Sequence, residues 1–179
     1  MHIDTNPKAP ATTIAALFQE TFTASENASE GALVGALAGR LLTEVPAPDR
    51  VVVTAQEGDV LTGAVVFTRM RYPEAEACVF LLSPMAIATA HQGRGLGQQL
   101  ITAGLTHLRQ NGVDVVLTYG DIRFYARVGF AQITEEIARA PQPLSYPDGW
   151  LGQSLTGEAL GPLAGPGQCV APFDDPAYW

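Results

Sequence analysis

Six consecutive residues, Gln92-Gly93-Arg94-Gly95-Leu96-Gly97, put three glycines beside a cation and a side-chain amide. Such a run can hold an anion with its main chain. Glycine adopts positive φ at little cost and leaves no Cβ between the peptide N–H groups and a ligand. Between a strand and a helix, the run also gains the unpaired donors and partial positive charge of a helix N-terminus. The flanks predict that placement. Cys78 to Ala90 is apolar and reads as a strand, and Gln98 to Gln110 reads as a helix.

Phosphate is the anion such turns usually serve, and two kinds of turn are excluded. A P-loop ends in Gly-Lys-Ser/Thr, whereas Gly97 is followed by Gln98-Gln99. A dinucleotide-binding turn needs G-x-G-x-x-G and an acidic residue about 20 positions on, at the end of a second strand. Counting from Gly93 the last glycine position is Gln98, and from Gly95 it is Leu100; neither Asp114 nor Asp121 ends a strand properly.

The spacing Gln92-x-x-Gly95-x-Gly97 resembles the Q/R-x-x-G-x-G/A signature of the GCN5-related N-acetyltransferases, the GNAT superfamily. Leu82-Ser83-Pro84-Met85-Ala86-Ile87 looks like that family's fourth strand. Asp121 to Phe130 looks like its late helix, with the pair Phe124-Tyr125 ahead of Gly129-Phe130. The resemblance covers roughly Val51 to Ile133, and its two motifs lie in the family's order. It resembles in particular a bacterial subgroup with a C-terminal extension.

The resemblance implies an α/β (α+β) fold: a single domain with a mixed, mostly antiparallel central sheet flanked by helices. It implies an acetyl-CoA-dependent N-acetyltransferase that moves an acetyl group directly to an amine of a small molecule or protein, without a metal. Backbone amides of Gln92, Gly93, Arg94, Gly95, Leu96, Gly97 and Gln98 would face the pyrophosphate. Arg94 either adds a cation there or is a solvated loop arginine. Met85, Ala86 and Ile87 would pair their backbone with the pantetheine arm, and the Ile87 N–H would face the oxyanion. Tyr125 takes the family's tyrosine position; a phenol of pKa about 10 is protonated at neutral pH and can donate to the departing sulfur. Phe124 and Phe130 are assigned to the core. Glu20, Glu26 and Glu30 lie near the expected acceptor pocket and are either ammonium contacts or solvated carboxylates. His107 is expected to be exposed. A catalytically weak acyl-CoA-binding sensor or scaffold is the alternative, and retention of Tyr125 weighs against it. A homodimer, common in the family, is an open expectation.

The elements that must position these residues can be read from periodicity. Ala11 to Phe22 and Gly31 to Leu42 read as helices, the second with internal Gly35 and Gly39 counting against it. Arg50 to Gln56 and Val60 to Tyr72 read as strands joined by the turn Glu57-Gly58-Asp59. A first strand has room only in Met1 to Asn6. Pro84 cannot donate to a ladder, so it marks an edge or a bulge; the resemblance favours the bulge. After the helix, Gly112 is a stop, Val113 to Tyr119 a buried strand, Asp121 an N-cap, and Phe130 to Glu135 a further strand. Strand, helix and strand form a right-handed parallel unit.

From Pro141 the texture changes: seven of the thirteen prolines and six of the eighteen glycines lie in 141–179. We expect a GNAT core over 1–140 and, over 141–179, an irregular extension packed on the same domain with one or two short strands. The net charge of −8 disfavours nucleic acid and would attract a cationic acceptor, unless it serves solubility alone. No membrane span, signal peptide or disulfide framework is expected, so the chain reads as cytoplasmic, with Cys78 in the core.

Overall fold

The computed structural model describes residues 1–179. In chain order the elements are β1 (His2–Asp4), α1 (Ala11–Ser25), α2 (Ala28–Glu44), β2 (Arg50–Glu57), β3 (Val60–Met70), β4 (Val79–Ile87) and α3 (Leu96–Gln110). There follow β5 (Val115–Tyr119), α4 (Ile122–Tyr125), β6 (Ala131–Gln132), β7 (Ala138–Arg139), β8 (Trp150–Ser154) and β9 (Leu163–Pro166). Seven strands join one sheet in the order β1-β2-β3-β4-β5-β8-β6, and β7 pairs with β9 apart from it. β4 and β5 run parallel; β1 with β2, and β8 with both β5 and β6, run antiparallel. The expected mixed sheet is borne out.

The chain forms two compact units, Met1–Phe67 with Pro84–Gly104, and Thr68–Ser83 with Leu105–Trp179. In the first, α1 and α2 pack on one another. Asn27 caps α2 by accepting from the Ser29 and Glu30 N–H groups at 2.9 and 3.0 Å. Ile14, Leu17 and Phe18 of α1 and Leu37, Ala38 and Leu41 of α2 are buried at helical spacing. Glycines that weaken α2 by propensity sit where α1 comes closest. A Cβ on Gly31 would lie 2.6 Å from the Gln19 carbonyl oxygen, and one on Gly35 2.7 Å from the Gln19 Cβ. α3 packs on β3 in the same way, with Gly104 against the Phe67 ring and Leu100 against Gly63.

In the second unit β4 pairs with β5 from Val79↔Val115 to Leu82↔Thr118. The other edge of β5 is taken by β8, from Val115↔Ser154 to Tyr119↔Trp150, and β6 adds to β8 at Ala131↔Gly152. A five-residue piece of the Pro/Gly-rich stretch is thus a sheet strand. Its anchor is Trp150, which is fully buried, donates from Nε1 to the Ala138 carbonyl at 2.7 Å and meets the Trp179 ring edge-on at 5.9 Å. Trp179 in turn donates to the Phe173 carbonyl at 2.9 Å. These bonds let two indoles enter the core with no orphaned N–H.

Several elements differ from expectation. β4 stops at Ile87, and Thr89–His91 form a short helical turn where the strand was expected to continue. The late helix has only Ile122–Tyr125 before it tightens and ends at Gly129, φ 95°. β6 is two residues long. Cys78 is half-buried rather than core, with the Arg69 guanidinium donating to its sulfur and lying 4.7 Å over the Phe80 ring. No helix is long and apolar enough to cross a membrane.

Two outcomes follow for stability. Gly31→Val should cost about 2–3 kcal/mol by overpacking the α1–α2 contact. Gly39→Ala, whose new methyl would meet nothing nearer than 3.8 Å, should gain up to about 1 kcal/mol from helix propensity; urea unfolding of both variants reads the contrast. Burial, and then the Asp174 charge, push the Cys169 thiol up to about 11. An acid held protonated in the fold contributes stability in full below its unfolded value, about 8.5, and loses it as pH climbs towards the folded one. The urea midpoint should therefore fall between pH 8 and 10.5, and fall less in Cys169→Ala.

Candidate active site

The glycine run is a turn that leads straight into α3. Gly93 and Gly95 have φ of 73° and 76°, which side chains other than glycine rarely adopt. The first backbone donor to be satisfied past Gln92 is the Gln99 N–H, bonded to the Gly95 carbonyl at 3.1 Å. The N–H groups of Gly93 to Gln98 have no backbone acceptor. A Cβ built on Gly93 or Gly95 would meet nothing within 4 Å, so the hollow of the turn is open. Six unpaired amides at the head of a fifteen-residue helix, with two glycines that nothing crowds, suit a diphosphate. The site therefore fits the coenzyme that the sequence implies.

Gln92 has a part of its own. Its side-chain Nε2 donates to the Ile87 carbonyl at 2.9 Å, tying the start of the turn to the end of β4. The Ala88 N–H then bonds to the Thr62 carbonyl at 2.9 Å. Met85, Ala86, Ile87 and the turn from Gln92 to Gln98 are thus brought together in the first unit, on a few pinned residues. Arg94 is exposed in the loop.

β4 carries an irregularity at Pro84. Residues facing one another across an antiparallel pair share a face of the sheet. Gly63 shares a face with Ile87, whose side chain would touch a Cβ there at 2.7 Å, and six residues along β3 Arg69 shares a face with Phe80. Six steps on β3 match seven on β4, so β4 holds one extra residue between Phe80 and Ile87. That is the signature of a bulge, and Pro84, which cannot donate to the ladder, lies within the interval. Pairing with β5 ends just before it, at Leu82.

Tyr125 belongs to the second unit. Its ring is held edge-on by Phe124 at 5.1 Å and by Phe130 at 5.6 Å. Phe130 is buried as expected, while Phe124 is half-buried. Tyr125 is half-buried, and burial raises the pKa of its phenol. The phenol stays protonated at neutral pH. Glu20, Glu26 and Glu30 are exposed. His91 is half-buried with its Nδ1 3.8 Å from a Glu57 carboxylate oxygen, and His107 is half-buried on α3 rather than exposed.

A family model described as the acetyltransferase (GNAT) domain matches residues 47–132. An Escherichia coli (strain K12) protein, the uncharacterized N-acetyltransferase YjhQ, is 30% identical over 137 residues, covering 74% of this chain and 75% of that protein. Among solved structures, the GNAT family N-acetyltransferase YhbS from Escherichia coli, in complex with CoA, superposes with a TM-score of 0.78 at 20% identity, covering 97% of this chain and 92% of that one. A GNAT family acetyltransferase from Brucella melitensis, in complex with acetyl-CoA, gives a TM-score of 0.66 at 26% identity, with 97% of each chain covered. Sequence and fold agree: this chain belongs to the GNAT family and is an acetyl-CoA-dependent N-acetyltransferase.

Proposed function

We propose that residues 92–98 bind the diphosphate of acetyl-CoA through the main chain, and that Tyr125 serves the departing sulfur. The observation that carries the first part is the run of unpaired N–H groups from Gly93 to Gln98, uncrowded at Gly93 and Gly95. In this reading Arg94, exposed at the turn, adds a cation beside phosphate. The backbone of Met85, Ala86 and Ile87, past the point where β5 pairing stops, takes the amides of the pantetheine arm. The Ile87 N–H donates to the carbonyl oxygen of the acetyl group. Bound acetyl-CoA supplies the activated thioester.

Tyr125 supplies a protonated phenol at neutral pH. A thiol has an ordinary pKa of about 8.5, below that of the phenol, so the phenol's first task is to donate a hydrogen bond to sulfur as negative charge collects there. The acceptor is an amine that must reach the site uncharged. The net charge of −8 favours a cationic one, such as a polyamine or a basic peptide, in the encounter. Glu20, Glu26 and Glu30, exposed on or beside α1 and α2, are suited to that encounter and not to proton abstraction in a dry site.

Gly95→Val should keep the fold, since a Cβ there is unobstructed and the φ strain costs about 1–2 kcal/mol. CoA affinity by calorimetry should fall about 100-fold, the worth of two charge-assisted hydrogen bonds at about 1.5 kcal/mol each. Unchanged affinity would remove the turn from the binding site. Tyr125→Phe should keep CoA affinity and lower kcat about 100-fold, read as thiol release with the best amine from a panel of polyamines, aminoglycosides, amino acids and peptides. Full turnover in that variant would remove Tyr125 from the mechanism.

A further inference from the structure

We propose that Gln92 is a positioning residue for the acetyl group: its side-chain amide occupies the Ile87 carbonyl, so that the Ile87 N–H alone is presented to the thioester oxygen. This rests on the reading of Ile87 above. Ile87 lies opposite Gly63, and the next residue, Ala88, donates its N–H to the Thr62 carbonyl at 2.9 Å. In an antiparallel pair, residues that bond across the ladder alternate with residues that do not. Ala88 with Thr62 is a bonded pair, so Ile87 with Gly63 is an unbonded one, and both backbone groups of Ile87 point away from β3. β5 does not pair with them, because its ladder with β4 ends at Leu82.

A bare N–H and a bare C=O on one strand edge oppose one another as an anion site. The carbonyl oxygen is the negative end of its dipole, and it repels the charge that collects on the thioester oxygen as an amine attacks. Gln92 removes that opposition. Its Nε2 lies 2.9 Å from the Ile87 carbonyl oxygen, and since a carbonyl only accepts, the amide presents its N–H there. The bond closes a ring from Ile87 to Gln92 that is also held from within: the His91 N–H donates to the Ala88 carbonyl at 2.8 Å. The Ile87–Ala88 peptide is therefore fixed at both ends, its C=O by Gln92 and its N–H by Thr62. A plane pinned in this way leaves the adjoining Ile87 N–H little freedom to turn. Gln92 is also the first residue of the glycine turn. Its main chain opens the turn that holds the diphosphate, and its side chain turns back to β4, so one residue ties the two ends of the coenzyme's site together.

The test is infrared difference spectroscopy of the whole chain saturated with acetyl-CoA, with and without 13C at the thioester carbonyl, which isolates that C=O stretch. Affinity for CoA is read alongside by calorimetry. In the parent protein the stretch should lie below that of free acetyl-CoA, because a hydrogen bond to the oxygen weakens the C=O bond. Gln92→Met keeps the length of the side chain and has no donor. It should lose about half of the shift or more, while CoA affinity stays within about 3-fold of the parent. Gln92→Arg regains a donor and should recover the shift. A shift retained in full by Gln92→Met overturns the proposal, since the Ile87 N–H would then be aimed without the glutamine. A fall in CoA affinity of about 10-fold or more in that variant also overturns it, because the side chain would then serve the diphosphate. A parent protein with no shift removes the Ile87 N–H from the oxyanion site and this proposal with it. The diphosphate turn is judged separately, by CoA affinity in Gly95→Val.

Discussion

A strand can pair fully with both neighbours only while its residue count matches theirs. β4 breaks that condition within nine residues. It keeps step with β5 through Leu82, gains one residue around Pro84, and continues to Ile87 without β5. The rest of the site hangs on this break. The Ile87 carbonyl, at the end of the released stretch, receives the Gln92 side chain that starts the turn. The Leu82 carbonyl, at the last paired position, receives the Thr118 hydroxyl.

The glycine turn works by subtraction. Helix N-termini leave donors unpaired, and proteins usually satisfy them with a capping side chain. α2 does so with Asn27 and α4 with Asp121. At α3 the residues ahead of the helix are glycines and an exposed arginine, so the amides from Gly93 to Gln98 stay unpaired in the protein itself. In the proposed reading, a ligand anion completes the cap that the sequence withholds.

How much of this was legible in the residues varies by cause. The turn could be read because its glycines serve a conformation, positive φ at Gly93 and Gly95, that few other residues allow. The helix pair could be read from periodicity, although Gly35 and Gly39 counted against it; at Gly35 the purpose is close approach to α1, and propensity records only the cost. Pro84 announced an irregularity without saying which kind; the face count on β3 and β4 was needed. The brevity of α4 and β6 was hidden, because the same Phe-Tyr frame suits a long helix or a single turn. The strand Trp150–Ser154 was hidden among prolines and glycines, and its place beside β5 is a matter of long-range pairing that local composition does not encode.

That last strand has a consequence for how the molecule is made. During synthesis β5 leaves the ribosome more than thirty residues ahead of β8, the partner that closes its edge. Over that interval the row Val115-Val116-Leu117 presents bare peptide groups and β-branched side chains to whatever is nearby. A nascent chain stalled between them would be open to strand addition by a neighbour on the same polysome. The aromatic cluster of Trp150, Phe173 and Trp179 can form only once residues 173–179 have emerged as well.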